Sequence, residues 1–132
     1  MILRKLFTTL KMNSYIHTSL LDQAEEFRTA YEMGPGEHLR PMQKSLIDEE
    51  WSEFHEAFHF ESKENQLKEL ADLVYVCFQF AASQEWDLDA AMLRVHQSNM
   101  SKLGEDGKPI RREDGKILKG PNYQPPTLTD LV

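Results

Sequence analysis

The sequence predicts an all-α protein: a bundle of four to five helices followed by a C-terminal hairpin or extended tail, assembled as an oligomer. Three observations lead there. Four stretches between residues 19 and 103 carry apolar residues at helical spacing, each with a cap or a stop signal. One of them, LADLVYVCFQFAA at 70–82, is apolar all round, so it belongs at the centre of a bundle or between copies of the chain. After Gly104 the pattern gives way to paired Asp-Gly turn signals and prolines. The expected organisation is an N-terminal arm, 1–18, a helical domain, 19–104, and a tail, 105–132.

The arm shows no periodic signal and receives no element, and its apolar run is too short for a signal-peptide core. Ser19 and Asp22 then form a capping box, followed by Leu20, Ala24, Phe27 and Tyr31 at helical spacing until Gly34-Pro35-Gly36 stops the first helix. Pro41 suits the first turn of a second helix, about 42–60. On a helical wheel its Ile47, Trp51, Phe54 and Phe58 make an apolar stripe, and Asp48, Ser52, His55, Glu56 and His59 make a polar arc. Ser62 is the N-cap of a third helix, about 64–83. Asp87 caps a fourth, about 88–103, where Gly104 stops it and Asn99 interrupts an otherwise apolar row. The near-repeat EDGKPI (105–110) and EDGKIL (113–118) predicts a small hairpin or paired turns before the extended GPNYQPPTL.

At 132 residues the chain is one domain by length, and its net charge is −7. The charge is uneven: residues 22–72 hold 14 Asp and Glu against 5 Lys and Arg, while residues 102–119 hold 6 basic residues. An acidic body argues against a nucleic acid polymer bound along a basic face and fits a cation-binding centre. The single cysteine, Cys77, allows neither a disulfide framework nor a cysteine-based zinc site, which fits a reducing, cytoplasmic setting. No segment approaches the roughly 18 apolar residues of a membrane span.

Two carboxylate pairs at i, i+3 stand out from the other acidic residues. Glu50 and Glu53 share their arc with Leu46 and Ala57 rather than with the polar face. Glu69 and Asp72 open the apolar third helix on an arc continued by Val76 and Phe80. Charge beside apolar neighbours is costly unless paired, and facing antiparallel helices would bring the four together. Four carboxylates in one place require a cation, and hard oxygen ligands in that number suit Mg²⁺ or Mn²⁺. Glu49 borders the same arc. By contrast, Glu25, Glu26, Glu56, Glu61 and Glu64 read as ordinary solvated helix surface.

Other constellations compete. His55-Glu56-Ala57-Phe58-His59 matches H-E-x-x-H, a zinc metalloprotease signature, but the histidines lie on the solvent arc and no third ligand follows at the usual spacing. Glu56 and His59 alone supply Glu-x-x-His, whereas a di-iron bundle needs it twice. His17, His38 and His96 have no partner in sequence, although His38, in the loop before helix two, can line a pocket. Phe27, Tyr31 and Trp51 pack a core or stack on a nucleobase. Lys102, Lys119 and one of Arg111 or Arg112 either balance an acidic body or meet phosphate oxygens.

The ordered motifs E-E-x-x-E at Glu49–Glu53 and E-x-x-D at Glu69–Asp72, with VHQSNMSKLGEDGKPIRREDGKILKGPNY downstream, resemble the all-α nucleoside triphosphate pyrophosphatase superfamily. This is the MazG-like and phosphoribosyl-ATP pyrophosphohydrolase-like group, in its small single-domain, phage-type form. The resemblance implies Mg²⁺-dependent hydrolysis of a nucleoside triphosphate to the monophosphate and pyrophosphate, with dGTP or another deoxynucleotide as substrate for pool adjustment or housecleaning. Glu50, Glu53, Glu69 and Asp72 would hold the metal, and Glu53 or Glu49 would activate water. Asn99, Lys102, Lys119 and Tyr123 would contact phosphates or sugar. Phe27, Tyr31, His38 and Trp51 are candidates for the base pocket. A homodimer or homotetramer is implied. The reading from another class is a helical module that binds nucleotide or protein without turnover.

Overall fold

The computed structural model describes residues 18–132, so the arm up to and including His17 lies outside the described residues. Among the described residues the protein is all-α, with four α-helices and no strands. They are α1 (Leu20–Ala30), α2 (Arg40–Phe60), α3 (Lys63–Ser83) and α4 (Leu88–Met100), with 3₁₀ turns at Glu37–Leu39 and Thr129–Leu131. The described residues fall into two compact units, the first ending at Glu85 and the second Trp86–Val132. No helix among the described residues is long and apolar enough to cross a membrane.

In the first unit α1 starts on the expected capping box: Asp22 N–H donates to Ser19 Oγ at 3.0 Å, and Ser19 N–H to the Asp22 carboxylate at 3.4 Å. Such caps contribute about 1 kcal/mol. Beyond its end Glu32 adopts φ 56°, and Met33 N–H closes on the Arg28 carbonyl at 2.7 Å. The Gly34-Pro35-Gly36 loop is tied to the end of α3. Gly36 N–H donates to the Ser83 carbonyl at 2.9 Å, and the Gln84 amide to the Gly36 carbonyl at 3.0 Å. α2 then begins at Arg40, with Pro41 in its first turn. Only Glu61 and Ser62 separate α2 from α3, so the two run antiparallel, and Ser62 Oγ caps α3 by accepting from Asn65 N–H at 3.2 Å.

α3 packs against both α1 and α2, as its all-round apolar sequence requires. The face that α2 turns inward is not centred on the predicted stripe. Its buried positions are Gln43 and Ala57, seven residues on either side of half-buried Glu50, while Ile47 and Phe54 are half-buried and Trp51 and Phe58 are exposed. The short α2–α3 link selects this row, and α3 covers one side of α2 only, which leaves Trp51 and Phe58 on the outer side. α1 is fastened to α3 by a polar bridge. Arg28, 4% exposed, donates to the Gly34 carbonyl at 2.8 Å and to Gln79 Oε1 at 3.5 Å, and Gln79 donates to the Ala24 carbonyl at 3.3 Å. Burial pushes the guanidinium below its ordinary range.

In the second unit Asp87 caps α4 as expected, accepting from Ala90 N–H at 3.0 Å. The helix ends at Met100 rather than 103. Ser101 N–H is shared between the Gln97 and Ser98 carbonyls and Lys102 N–H turns onto Asn99, where the returning tail engages the Ser98 and Ser101 hydroxyls: Ser98 Oγ donates to the Gln124 carbonyl at 2.7 Å, and Ser101 Oγ accepts from Gln124 N–H at 2.9 Å. Arg94 forks onto Asp130 at 2.5 and 2.8 Å. The near-repeat folds as two successive turns, with Gly107 and Gly115 at φ 72° and 87°, the second closed by an antiparallel bridge between Arg111 and Ile117. Gly120 sits against the Leu103 carbonyl so closely that a Cβ there would lie 2.4 Å from the oxygen.

Candidate metal centre

The antiparallel α2–α3 pair places the two acidic motifs side by side. α2 presents Glu49, Glu50 and Glu53; α3 presents Glu69 and Asp72. Glu50, Glu69 and Asp72 each offer a carboxylate oxygen, and these oxygens all lie within 4.8 Å of one another. Among the described residues this is the one group of three or more metal-ligating side chains that converges. Glu69 is 7% exposed, Glu50 and Asp72 are half-buried, and Glu49 and Glu53 are exposed beside them.

Two oxygens of the cluster, Glu50 Oε2 and Glu69 Oε2, are buried without a hydrogen-bond partner. Buried carboxylate oxygens ordinarily find donors, and leaving one unpartnered costs more than a hydrogen bond returns. Loss of hydration holds the Glu50 carboxyl above its ordinary range, and Glu53, Asp72, Glu69 and Glu49 push it in the same direction through their charge. The other four motif carboxylates thus all bear on Glu50. The cation present is Lys68, whose Nζ lies 3.0 Å from Asp72 Oδ2 and 3.1 Å from Glu69 Oε1. The hydrogen bonds to Asp72 and then Glu69 raise the ammonium above the usual lysine range. A hard, oxygen-lined, under-neutralised cluster of this kind fits Mg²⁺ or Mn²⁺.

The aromatic candidates separate. Phe27 and Tyr31 stack with centroids 4.5 Å apart, and Tyr75 meets Phe27 edge-on at 5.8 Å. These three, with Gln23, Glu26 and Ala30, line a cavity of about 280 Å³. His38, in the 3₁₀ turn, and Trp51, 57% exposed on α2 and 6.4 Å from the Phe54 ring, are not among its lining residues. Tyr75 was not singled out from sequence, although it lies one helical turn beyond Asp72. Lys68 was missed as well, although it stands four residues before Asp72, the spacing of a helical ion pair.

In the second unit Asn99 is exposed near the end of α4, Lys102 lies just beyond it, and the Lys102 carbonyl accepts from Gly120 N–H at 2.9 Å. Lys119 Nζ stands 4.7 Å over the Tyr123 ring. The fold thus gathers Lys102, Lys119 and Tyr123 around the Gly120 turn. On α2 the rings of His55 and His59 lie 4.7 Å apart and both are exposed, with no third ligand joining them among the described residues.

The family model described as phosphoribosyl-ATP pyrophosphohydrolase matches residues 11–99. That span takes in both acidic motifs and Asn99 and ends before Lys102, Lys119 and Tyr123. No curated protein matches the chain.

Proposed function

Because the chain belongs to the phosphoribosyl-ATP pyrophosphohydrolase family, within the MazG-like all-α pyrophosphatase superfamily, we propose that it hydrolyses a nucleoside triphosphate between the α and β phosphates, releasing the monophosphate and pyrophosphate. The substrate in this reading is a deoxynucleoside triphosphate, dGTP or another, and the setting is pool adjustment or housecleaning in the cytoplasm. The observation that carries it is the convergence of Glu50, Glu69 and Asp72 with two buried, unpartnered oxygens.

Glu50, Glu69 and Asp72 would hold Mg²⁺ or Mn²⁺, with Glu53 completing the set. A bound divalent ion would supply charge neutralisation for the polyphosphate. Glu53 and Glu49, exposed at the margin of the cluster, are the groups available to orient or deprotonate an attacking water. The cavity formed by Phe27, Tyr31 and Tyr75 supplies aromatic faces for a base one helical turn from Asp72, about 4.5 Å of rise along α3. Asn99, Lys102, Lys119 and Tyr123 are proposed as phosphate and sugar contacts. The chain is further proposed to assemble as a homodimer or homotetramer, since large apolar side chains on α2 and α3, Trp51, Phe58 and Leu67 among them, are more than half exposed.

The test is a nucleotide panel that includes phosphoribosyl-ATP, incubated with Mg²⁺ and analysed for monophosphate and pyrophosphate. Asp72→Asn is expected to lower turnover at least about 100-fold while leaving the helical spectrum unchanged. Tight nucleotide binding with no product over hours would replace this reading with a binding module. Full activity in the variant would remove Asp72 from the centre.

A further inference from the structure

We propose that Lys68 is an exchangeable counter-ion: it neutralises the carboxylate cluster while no divalent ion is present and transfers its ammonium to the polyphosphate when metal and substrate arrive. The inference rests on the metal-centre reading above and adds to it a residue that neither acidic motif contains.

The geometry separates Lys68 from an ordinary surface pair. An exposed lysine four residues before an aspartate on a helix contributes little by itself. Here the same Nζ also reaches Glu69, whose side chain is only 10% exposed and whose second oxygen is buried and unpartnered. One ammonium therefore serves two of the three converging carboxylates, and the Lys68 side chain remains 60% exposed, free to swing on its four-carbon stem. Lys68 thus contacts one oxygen on each of two carboxylates, Glu69 and Asp72, that would also hold a divalent ion. Two cations sharing them would stand only a few ångströms apart and repel each other. Lys68 would then swing toward solvent, where a polyphosphate bound at the centre offers it new oxygens, and a lysine suits them as a flexible point charge.

Mn²⁺ affinity tests this directly on the full chain and its Lys68→Met and Lys68→Arg variants, first with Mn²⁺ alone and then with Mn²⁺ plus inorganic tripolyphosphate, which needs no base recognition. With Mn²⁺ alone, Lys68→Met is expected to bind roughly 3–10-fold tighter than the parent, with the difference shrinking in high salt. With tripolyphosphate the order is expected to reverse by a similar factor, and Lys68→Arg should follow the parent in both arms. Equal Mn²⁺ affinities, or Lys68→Met remaining the tighter binder with tripolyphosphate, would overturn the role of Lys68 alone. Failure of all three proteins to take up Mn²⁺ would instead overturn the metal centre itself and this proposal with it.

Discussion

At Glu50 two unfavourable effects coincide, because the carboxylate loses water on the inner face of α2 and also faces four other acidic side chains. Its pKa is raised in the fold, so the native state holds this proton more tightly than the unfolded chain. The stability contributed by the protonated form is present below the ordinary glutamate range and is lost as pH rises through the raised value. In EDTA at pH 7 the ionised group therefore opposes folding, and Glu50→Gln is expected to raise the melting temperature by about 2–5 °C. Saturating Mn²⁺ should reverse the order by stabilising the parent and leaving the variant nearly unmoved. Thermal melts with and without metal check both halves, and an EDTA melt lower in the variant would contradict the assignment of strain to this carboxylate. Glu50 also shows how much of the site was legible. Sequence placed it among apolar neighbours, but the buried, unpartnered Oε2 depends on what packs across from it.

The helices illustrate which local signals survive packing. Ser19, Ser62 and Asp87 cap the elements they were expected to cap, because a capping hydrogen bond spans only three residues. The inward face of α2 was misjudged, because a wheel ranks arcs by hydrophobicity, whereas the two-residue link to α3 determines the arc that is covered. Likewise α4 stops at Met100, where residues more than twenty positions downstream capture its last hydroxyls. That tail attachment makes its own prediction. Asp130, bound by Arg94, titrates down at about 2, so its folded pKa lies below its unfolded value. The contact is present above the ordinary aspartate range and is lost as pH falls from about 4 toward 2. Hydrogen exchange should show the tail amides near Leu131 losing protection over that window, and Asp130→Asn should show the loss already at pH 7. Unchanged protection in the variant would mean that the Ser98 and Ser101 bonds hold the tail unaided.

At the scale of the molecule, the buried apolar set among the described residues is small: Ala24, Ala57, Phe78 and Ala81. Large apolar side chains stay outside. Leu20, Leu67, Leu70 and Val74 line an apolar groove of about 400 Å³ between α1 and α3, with Leu67 itself 68% exposed. Surfaces of this kind are ordinarily covered in an assembly. If the chain assembles as proposed, sedimentation velocity is expected to show an oligomer that replacing Leu70 and Val74 together by Glu shifts to monomer, and a monomeric parent would overturn the proposed assembly. An unchanged oligomer would place the interface elsewhere, with exposed Trp51 and Phe58 of α2 the next surface to substitute.

The amino-acid sequence by itself determined the helical class, the caps, the turn glycines and the two carboxylate pairs, because each rests on spacings of a few residues along one chain. Only the tertiary structure decided that Glu50, Glu69 and Asp72 converge, that Lys68 supplies the cation between two of them, and that Tyr75, rather than Trp51 or His38, completes the aromatic cavity with Phe27 and Tyr31. These are contacts between helices, or between a side chain and what packs beside it. Their geometry is set by how α2 and α1 dock on α3, and no periodicity within a single helix records that docking.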